Sequence, residues 1–497
     1  MGGTGYSLRS NDMNRREFLK NCAAAAKGFV LSSYAFAAAG CALSVESAQA
    51  RSGRRRPNIV FIFIDDMGWR DVGFMGSEYY ETPNIDKIAG RGMVFTNAYS
   101  NAPNCAPARA CLLSGQYSPR HGVYTVGSSS RGKSKLRKLI PIENTTVLDS
   151  NIMTIAEAVR TAGYVSASIG KWHLGNDPEF GPVGQGFDVN VGGYSAGHPA
   201  KGYFVPYKNP ELPDGPEGEY LTDRLTDEAL NFIETNKDRQ FFLYLQHYAV
   251  HTPLQAKDEL IEKYKNKPGS NGQDNPKYAA MIESTDEGVG RILDKLDELG
   301  LAEDTIVFFF SDNGGVRTIT SNEPLRGGKG MLYEGGIREP MAVRWPGVVE
   351  PGTTCETPVI GVDLFPTILR MTGARAPEGK LMDGESIVPL LMGQSDFDRE
   401  AIFWHFPAYL QGKAEGARDE YFRTRPAGAV RAGDFKLIEY FEDGDLELYN
   451  LADDISEQNN LVDSMPEKAS ELHQLMLAWR KEVNAPVPTE LNPEYDP

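Results

Sequence analysis

The chain has 497 residues, of which 41% are hydrophobic and 10% aromatic, and a formal net charge of −17. This length corresponds to two or three domains at about 150 residues each, and a single large α/β domain with a small appendage fits equally well. The acidic balance argues against nonspecific nucleic-acid binding, which requires basic surfaces that displace counterions. An anionic substrate must therefore be attracted locally, by the charges of its own site.

Residues 1–50 resemble a bacterial twin-arginine export signal. Two arginines at 15–16 precede an alanine-rich, mildly apolar run, and Ala-Gln-Ala at 48–50 offers a cleavage site. A transmembrane anchor is disfavoured because alanine is weakly apolar and Lys27 interrupts the run. We expect export by the twin-arginine machinery to the periplasm or the extracellular space, with lipid attachment at Cys41 as the alternative.

Short apolar runs alternate with amphipathic stretches through most of the chain, which is typical of a parallel sheet flanked by helices. Four of these runs are predicted to be strands: 58–64, 165–169, 241–245 and 305–310. Each is followed by polar residues that can do chemistry, and open α/β sheets bind ligands beyond the carboxyl ends of their strands. We therefore expect one functional site at that edge of the sheet.

The first and fourth predicted strands are followed by Asp65 and Asp66, and by Asp312 and Asn313. These side chains offer only oxygen ligands, which suit Ca²⁺ or Mg²⁺ and disfavour Zn²⁺. Adjacent side chains on a strand point to opposite faces, but the alternation can break at the turn that follows. A single strand-end aspartate is more often an N-cap or turn residue. Two strand ends with two ligands each favour a cation site.

The segment 105–109 reads Cys-Ala-Pro-Ala-Arg and follows a turn rich in proline and asparagine. It predicts a helix that begins at Cys105, with Pro107 in the first turn, where its missing N–H costs nothing. Arg109 lies four residues after the cysteine, so the two side chains share a face. Because a helix N-terminus also favours negative charge, the segment predicts an anion pocket around a reactive sulfur.

Basic and titratable residues follow the two remaining strands. Lys171 and His173 come after the second strand and share a face if the backbone stays extended. His247 and His251 come after the third. These groups are therefore expected at the same edge as the acidic pairs.

The 105–109 segment resembles the Cys-x-Pro-x-Arg signal of type I sulfatases, members of the alkaline phosphatase superfamily. In that family the cysteine is oxidised to formylglycine. The commonest signal has serine at the position of Ala108, and Cys111 replaces another frequent serine. The resemblance extends over nearly all of residues 57–480. It includes the block that holds Lys171 and His173, the later histidine His251, and Lys329 in a glycine-rich segment.

This resemblance implies an alkaline-phosphatase-like α/β fold, with a large mixed, mostly parallel sheet flanked by helices and a small C-terminal α+β subdomain. Residues 57–395 are predicted to form the catalytic domain, and residues 396–497 the subdomain, with a small antiparallel sheet and one helix. The implied activity is hydrolysis of sulfate esters of a carbohydrate or an aryl alcohol. The alternative is a phosphoester or phosphonate ester hydrolase on the same scaffold. A formylglycine-generating maturation enzyme is an implied partner, and nucleic acid is not.

The resemblance also assigns roles to single residues. Calcium, with magnesium permitted by the ligands alone, is expected at the four acidic and amide residues and at position 105. The formylglycine hydrate attacks sulfur, helped by Asp312, while Arg109, Lys171 and Lys329 hold the hydrate and the sulfate oxygens. His251, with Lys329, protonates the leaving oxygen, and His173 takes a proton when sulfate is expelled.

Other features leave alternatives open. His121 is either a supporting group of the site or a loop histidine, and His198 and His247 either line a cleft or are structural. The basic run 131–138 is either a solvated loop or a contact for a polysulfated substrate. Without the signal, three cysteines remain, which is too few for a disulfide framework. Whether Cys111 and Cys355 pair stays open.

Overall fold

The computed structural model describes residue 1, residues 56–394 and residues 397–496. The predicted export signal, with Cys41 and the cleavage site after Ala50, lies outside the described residues. Each helix within those ranges is too short or too polar to span a lipid bilayer.

A nine-stranded sheet lies at the centre of the fold, in the order β4-β3-β5-β1-β6-β7-β2-β8, with β9 beside β2. Its strands are β1 (Asn58–Ile64), β2 (Met93–Tyr99), β3 (Val165–Gly170), β4 (Val189–Val191), β5 (Phe241–Gln246), β6 (Thr305–Ser311), β7 (Arg338–Arg344), β8 (Thr353–Cys355) and β9 (Val359–Ile360). Strands β4, β3, β5, β1 and β6 are parallel, and β7 runs antiparallel to both β6 and β2. The four strands predicted from the sequence are confirmed, as is the mixed, mostly parallel sheet.

The central strands are apolar because both faces of the sheet are covered. All seven residues of β1 and all seven of β6 are buried. Phe61 of β1 lies opposite Phe308 of β6, and their rings stack with centroids 5.3 Å apart. This core fixes the two strands in register, so their carboxyl ends lie side by side.

Eleven α-helices occur in the described part of the chain. They are α1 (Pro83–Gly90), α2 (Cys105–Ser114), α3 (Ser118–His121), α4 (Ile155–Arg160), α5 (Leu221–Thr235), α6 (Asp258–Lys265), α7 (Pro276–Glu298), α8 (Glu334–Ile337), α9 (Leu364–Thr372), α10 (Val388–Leu391) and α11 (Pro466–Glu482). The long helix α7 begins where the side chain of Asn275 accepts a hydrogen bond from the backbone N–H of Tyr278. Helix α2 begins at Cys105, as predicted.

The C-terminal part adds a four-stranded antiparallel sheet in the order β10-β13-β14-β15 and a two-stranded hairpin, β11-β12. The strands are β10 (Ile402–Phe406), β11 (Leu410–Gln411), β12 (Phe422–Thr424), β13 (Ala427–Ala432), β14 (Phe435–Tyr440) and β15 (Leu446–Asn450). Helix α11 packs on the larger sheet, where Trp479 stacks on Phe403 with centroids 4.7 Å apart. The predicted small antiparallel subdomain is confirmed, and the predicted boundary at residue 395 stays a prediction.

The C-terminal strands also support the segment that leads into α2. The indole N–H of Trp404, on β10, donates to the carbonyl of Ser100 at 2.7 Å. Tyr99 and Tyr117 belong to the same hydrophobic cluster as the residues of this sheet. The helix that begins at Cys105 is therefore held from the C-terminal side.

Candidate active site

The acidic residues meet at the carboxyl edge because β1 and β6 are neighbours. Ile64 lies opposite Ser311, so Asp65 and Asp66 follow β1 beside the end of β6. Asp66 has a φ of 61°, which breaks the strand alternation. Its backbone N–H donates to Asp312 Oδ1 at 3.2 Å, and the Asn313 amide donates to Asp66 Oδ1 at 2.8 Å. The four predicted cation ligands therefore form one cluster.

Three cations pair with the three aspartates. Lys171 Nζ lies 2.5 Å from Asp65 Oδ2, Lys329 Nζ lies 2.6 Å from Asp66 Oδ1, and Arg109 Nη2 lies 2.8 Å from Asp312 Oδ2. The side chains of Arg109 and Lys171 are 0% exposed. Such charges are tolerated away from water only when they are paired, so each pair fixes the position of its carboxylate.

Arg109 also ties the helix to the strand ends. Its Nη1 donates to the carbonyl of Lys171 at 2.8 Å, and its guanidinium lies over the Phe63 ring, 5.1 Å from the centroid. The arginine predicted to share a face with Cys105 thus reaches β1, β3 and β6 at once.

Cys105 opens α2 at the centre of these charges and is 2% exposed. Burial acts to raise the pKa of its thiol, but the charges of Lys171 and Lys329 outweigh burial and hold the pKa below its usual value. The sulfur and one oxygen each of Asp65 and Asp312 lie within 4.8 Å of one another. Position 105 is therefore both an anion site and a neighbour of the acidic cluster.

The cluster has more oxygen acceptors than the described residues satisfy. Asp65 Oδ1 and Asn313 Oδ1 are buried, and neither has a hydrogen-bond partner within residues 56–394 or 397–496. Burial raises the pKa of Asp65 to about 7, and burial followed by the charge of Asp65 raises that of Asp312 to about 6. Buried carboxylate and amide oxygens without a partner fit a hard divalent cation with oxygen ligands.

Two histidines stand above the cluster. His251 Nε2 lies 3.6 Å from Asp66 Oδ2, and its Nδ1–H donates to the carbonyl of Thr252 at 2.8 Å. His173 is held with a φ of 67°, and a Cβ on Gly197 would lie 2.2 Å from its ring, so Gly197 leaves no room for a side chain. Burial lowers the pKa of His251 to about 4, and burial followed by the charge of Lys171 lowers that of His173.

A cavity of about 410 Å³ opens over the cluster. It is lined by Asn104, Cys105, Val126, Arg131, His173, Gly197, His198, His251, Lys329, Gly330, Leu410, Gln411 and Arg423. The structure thus brings Cys105, His173, His251 and Lys329 to one pocket, with Arg109 and Lys171 bonded to the aspartates of its floor. All six predicted catalytic residues belong to this constellation.

Comparisons with known proteins identify the family. A family model described as Sulfatase matches residues 57–374, and one described as N-sulphoglucosamine sulphohydrolase, C-terminal, matches residues 328–482. The chain belongs to the sulfatase family. A protein named Sulfatase from Formosa agariphila is 33% identical to it, over 89% of this chain and 92% of that one.

Two further likenesses extend the comparison. Human N-acetylgalactosamine-6-sulfatase is 33% identical, over 74% of this chain and 72% of that protein. The crystal structure of Ps i-CgsB in complex with k-i-k-neocarrahexaose has a TM-score of 0.72 and 30% identity, and covers 86% of this chain and 93% of that one. This sulfatase is therefore a sulfuric ester hydrolase with an alkaline-phosphatase-like fold.

The three histidines whose roles the sequence left open separate into two kinds. His198 lines the cavity, and its ring lies 6.5 Å from that of His251. His121 lies behind α2, where its Nε2 contacts the Cys111 sulfur at 3.4 Å, and His247 is fully buried. Neither His121 nor His247 lines the cavity. In the described ranges, Cys105, Cys111 and Cys355 are free thiols.

Sequence reasoning missed Arg423 and did not single out Arg131 within the basic run. Arg423 lies on β12, 94 residues after Lys329, and no local motif marks it. Arg131 is the one member of 131–138 that lines the cavity. No sequence signal marks the two arginines. They stand out only in the folded chain, where they lie at a rim that has no acidic lining residue.

Proposed function

We propose that this sulfatase hydrolyses the sulfate ester of a sulfated carbohydrate or aryl sulfate, using a formylglycine made from Cys105 and a bound calcium ion. The observation that carries the proposal is the meeting of Cys105, Asp65 and Asp312 within 4.8 Å. Three buried or nearly buried cations compensate these acids. A nucleophile position, a cation site and an anion site thus coincide.

The cation is proposed to be held by Asp65, Asp66, Asp312 and Asn313, together with the oxygen that replaces sulfur at position 105. Calcium is favoured because the family uses it, and the oxygen donors alone also permit magnesium. When bound, it supplies Lewis-acid polarisation of a sulfate oxygen and eases deprotonation of the attacking hydroxyl. The orphaned oxygens of Asp65 and Asn313 support this assignment.

The aldehyde at position 105 supplies, as its hydrate, one hydroxyl for attack and a second whose deprotonation releases sulfate. Lys171 and Lys329 lie where they can stabilise negative charge on the sulfate oxygens. Arg109 is engaged by Asp312 and by the Lys171 carbonyl, so its role is to hold both elements beside residue 105.

The histidines are proposed to move protons. The Nδ1–H of His251 donates to the Thr252 carbonyl. Nε2 is therefore the ring nitrogen proposed to give a proton to the leaving oxygen. His173 is the residue proposed to take a proton from position 105, and its Nδ1 has no partner in the described parts of the chain. Approach of an anionic ester raises the affinity of both rings for protons.

Maturation and export complete the proposal. Because Cys105 is 2% exposed after folding, a formylglycine-generating enzyme would have to reach the segment before α2 packs. Twin-arginine export carries folded proteins, which suits modification in the cytoplasm followed by release to the periplasm or beyond.

The test combines mass spectrometry with matched substrates. Protein matured by a co-expressed formylglycine-generating enzyme should contain the aldehyde at position 105 and should hydrolyse aryl or sugar sulfates faster than the matched phosphates. Fully active enzyme that contains only a thiol at position 105 would refute the proposed nucleophile. Faster turnover of phosphate than of sulfate would refute the proposed substrate class.

A further inference from the structure

Two arginines at the mouth of the cavity form no ion pair with an acid of residues 56–394 or 397–496. Arg131 Nη2 donates to the carbonyl of Val126, and Arg423 Nη1 donates to the carbonyl of Lys329 at 3.4 Å. Arg423 Nε is buried without any partner in the described chain. A buried guanidinium N–H without an acceptor is costly, and an acceptor on a bound ligand would relieve that cost.

This absence is unusual for an acidic protein. Arg425, two residues after Arg423, pairs with both Asp419 and Glu442 at 2.5 Å. By contrast, the thirteen residues that line the cavity include no aspartate and no glutamate. In a chain with a net charge of −17, the rim is selectively free of acids.

The two arginines are held by segments packed on each other. A Cβ on Gly132 would lie 2.7 Å from Phe422 Cε1, so the loop after Arg131 abuts the hairpin that carries Arg423. A Cβ on Gly330 would lie 2.5 Å from Arg423 Cδ, which requires a glycine beside Lys329. The arginine pair is therefore built into the rim and is not a feature of freely moving side chains.

The charges of the floor are already balanced without this pair. Asp65, Asp66 and Asp312 each have one cation partner. A bound divalent cation would balance the one negative charge of a sulfate ester and that of the deprotonated hydroxyl at residue 105. Arg131 and Arg423 thus add two positive charges that have no ion-pair partner in the described chain.

We propose that Arg131 and Arg423 form a second anion subsite at the mouth of the pocket, which binds another sulfate or carboxylate group of the substrate. This inference rests on the proposed function, since it places one sulfate at residue 105. It selects substrates with two anionic groups, such as a disulfated sugar or a sulfated sugar next to a uronate.

The electrostatics of the two arginines agree with this assignment. Burial lowers the pKa of Arg131, and burial followed by the charge of Arg131 lowers that of Arg423. Two partly desolvated like charges are relieved when an oxyanion lies near both, and arginine is suited to recognise sulfate and carboxylate oxygens.

The experiment compares three disaccharides that share a scissile sulfate: one without another anion, one with a second sulfate, and one with a carboxylate. The variants Arg423→Gln and Arg131→Gln lie on different segments, and Lys133→Gln is the control because Lys133 is exposed and does not line the cavity. We expect each arginine variant to lower the ratio of kcat/KM for two-anion to one-anion substrates about tenfold, mainly through KM. The control should keep the wild-type ratio.

Binding to Cys105→Ala protein gives a readout that needs no turnover. The disulfated or carboxylated disaccharide should bind about tenfold more tightly than the monosulfated one, and Arg423→Gln should abolish the difference. The second sulfate and the carboxylate are separate arms, so the preferred group is identified. Equal ratios in all variants, or no preference in binding, would overturn the subsite. Failure of wild-type enzyme on every sulfate ester would instead refute the proposed function, while the binding arm still decides the subsite.

Discussion

Two buried charge clusters in this sulfatase are built alike and end differently. In the C-terminal cluster, Lys436 lies between Glu334 and Glu457 at 2.9 Å from each, and Glu457 Oε2 accepts the Glu334 N–H at 2.7 Å. Tyr99 donates to Glu334 Oε2 at 2.7 Å, so all four carboxylate oxygens have partners. At the floor of the cavity, Asp65 Oδ1 has none among the described residues, despite an equally buried environment.

The difference distinguishes a charge cluster that stabilises the fold by itself from one that leaves acceptors unpaired in the described chain. Both contain charges that desolvation would make intolerable alone. The Lys436 cluster satisfies its acceptors internally and needs nothing more. The floor leaves acceptors open at one point, where a cation, a nucleophile and an anion are proposed to meet.

The largest effect is expected at the open cluster, which is the cluster of Asp65, Asp66 and Asp312 at the cavity floor. Cys105→Ala should lower kcat/KM for a sulfate ester by at least about 10⁴-fold, because the covalent route is lost, while thermal unfolding changes little. Cys111→Ser is the matched control, since Cys111 lies on the same helix with Ser118 and His121 as neighbours and should remain active. Comparable losses in both variants would contradict the assignment.

Substitution in the closed cluster, which consists of Lys436, Glu334 and Glu457, should lower the stability of the fold. Lys436→Met removes the ion-pair partner of the buried Glu457, while Glu334 keeps Arg338 at 3.3 Å. The change should cost about 3–5 kcal/mol of unfolding free energy, measured by chemical denaturation. A second change, Glu457→Gln, should recover part of the loss by removing one charge. A cost below about 1 kcal/mol for Lys436→Met would show that the cluster does not brace the fold.

Calcium should separate the clusters directly. At a hundredfold excess over its dissociation constant, calcium should raise the unfolding free energy by about 2.7 kcal/mol, and chelation should reverse the gain and remove activity. Asn313→Leu should weaken this response, whereas Glu457→Gln should retain it. An equal response in wild type and Asn313→Leu would contradict the proposed ligand set.

The smallest effect concerns His405, a buried histidine on β10 of the C-terminal sheet. Burial lowers the pKa of His405 to about 3, so the ring stays neutral in the folded chain and is protonated more readily when unfolded. Its contribution is present above about pH 6.5 and is lost as the pH falls toward 3. His405→Phe should therefore lose less stability between pH 7 and 5 than wild type, measured by denaturation at both values. Equal losses would show that this ring does not govern the acid sensitivity.

The sequence predicted those features that local chemistry determines. Apolar runs such as 58–64 form the central strands, and the acids after β1 and β6 meet because those strands are neighbours. Helix α4 begins at Ile155 because Thr154 and Glu157 form a capping box. The capping residues therefore determine where this helix begins.

Features that depend on long-range packing escaped the sequence. His198 and His247 read alike in sequence, yet one lines the cavity and the other is fully buried. Arg423 joins the rim because its hairpin packs against the loop after Arg131. Such proximity has no local signature in the chain.

The hairpin β11-β12 and the cavity floor lie in different parts of the fold. The cavity floor is assembled from strand ends deep in the central sheet, whereas Leu410, Gln411 and Arg423 reach the rim from a short ribbon beside it. Gln411 is exposed and Arg423 is partly exposed, so changes at these two positions alter the rim without touching buried residues. Substitutions at the rim can therefore change the groups that face a substrate while the residues at the strand ends stay the same.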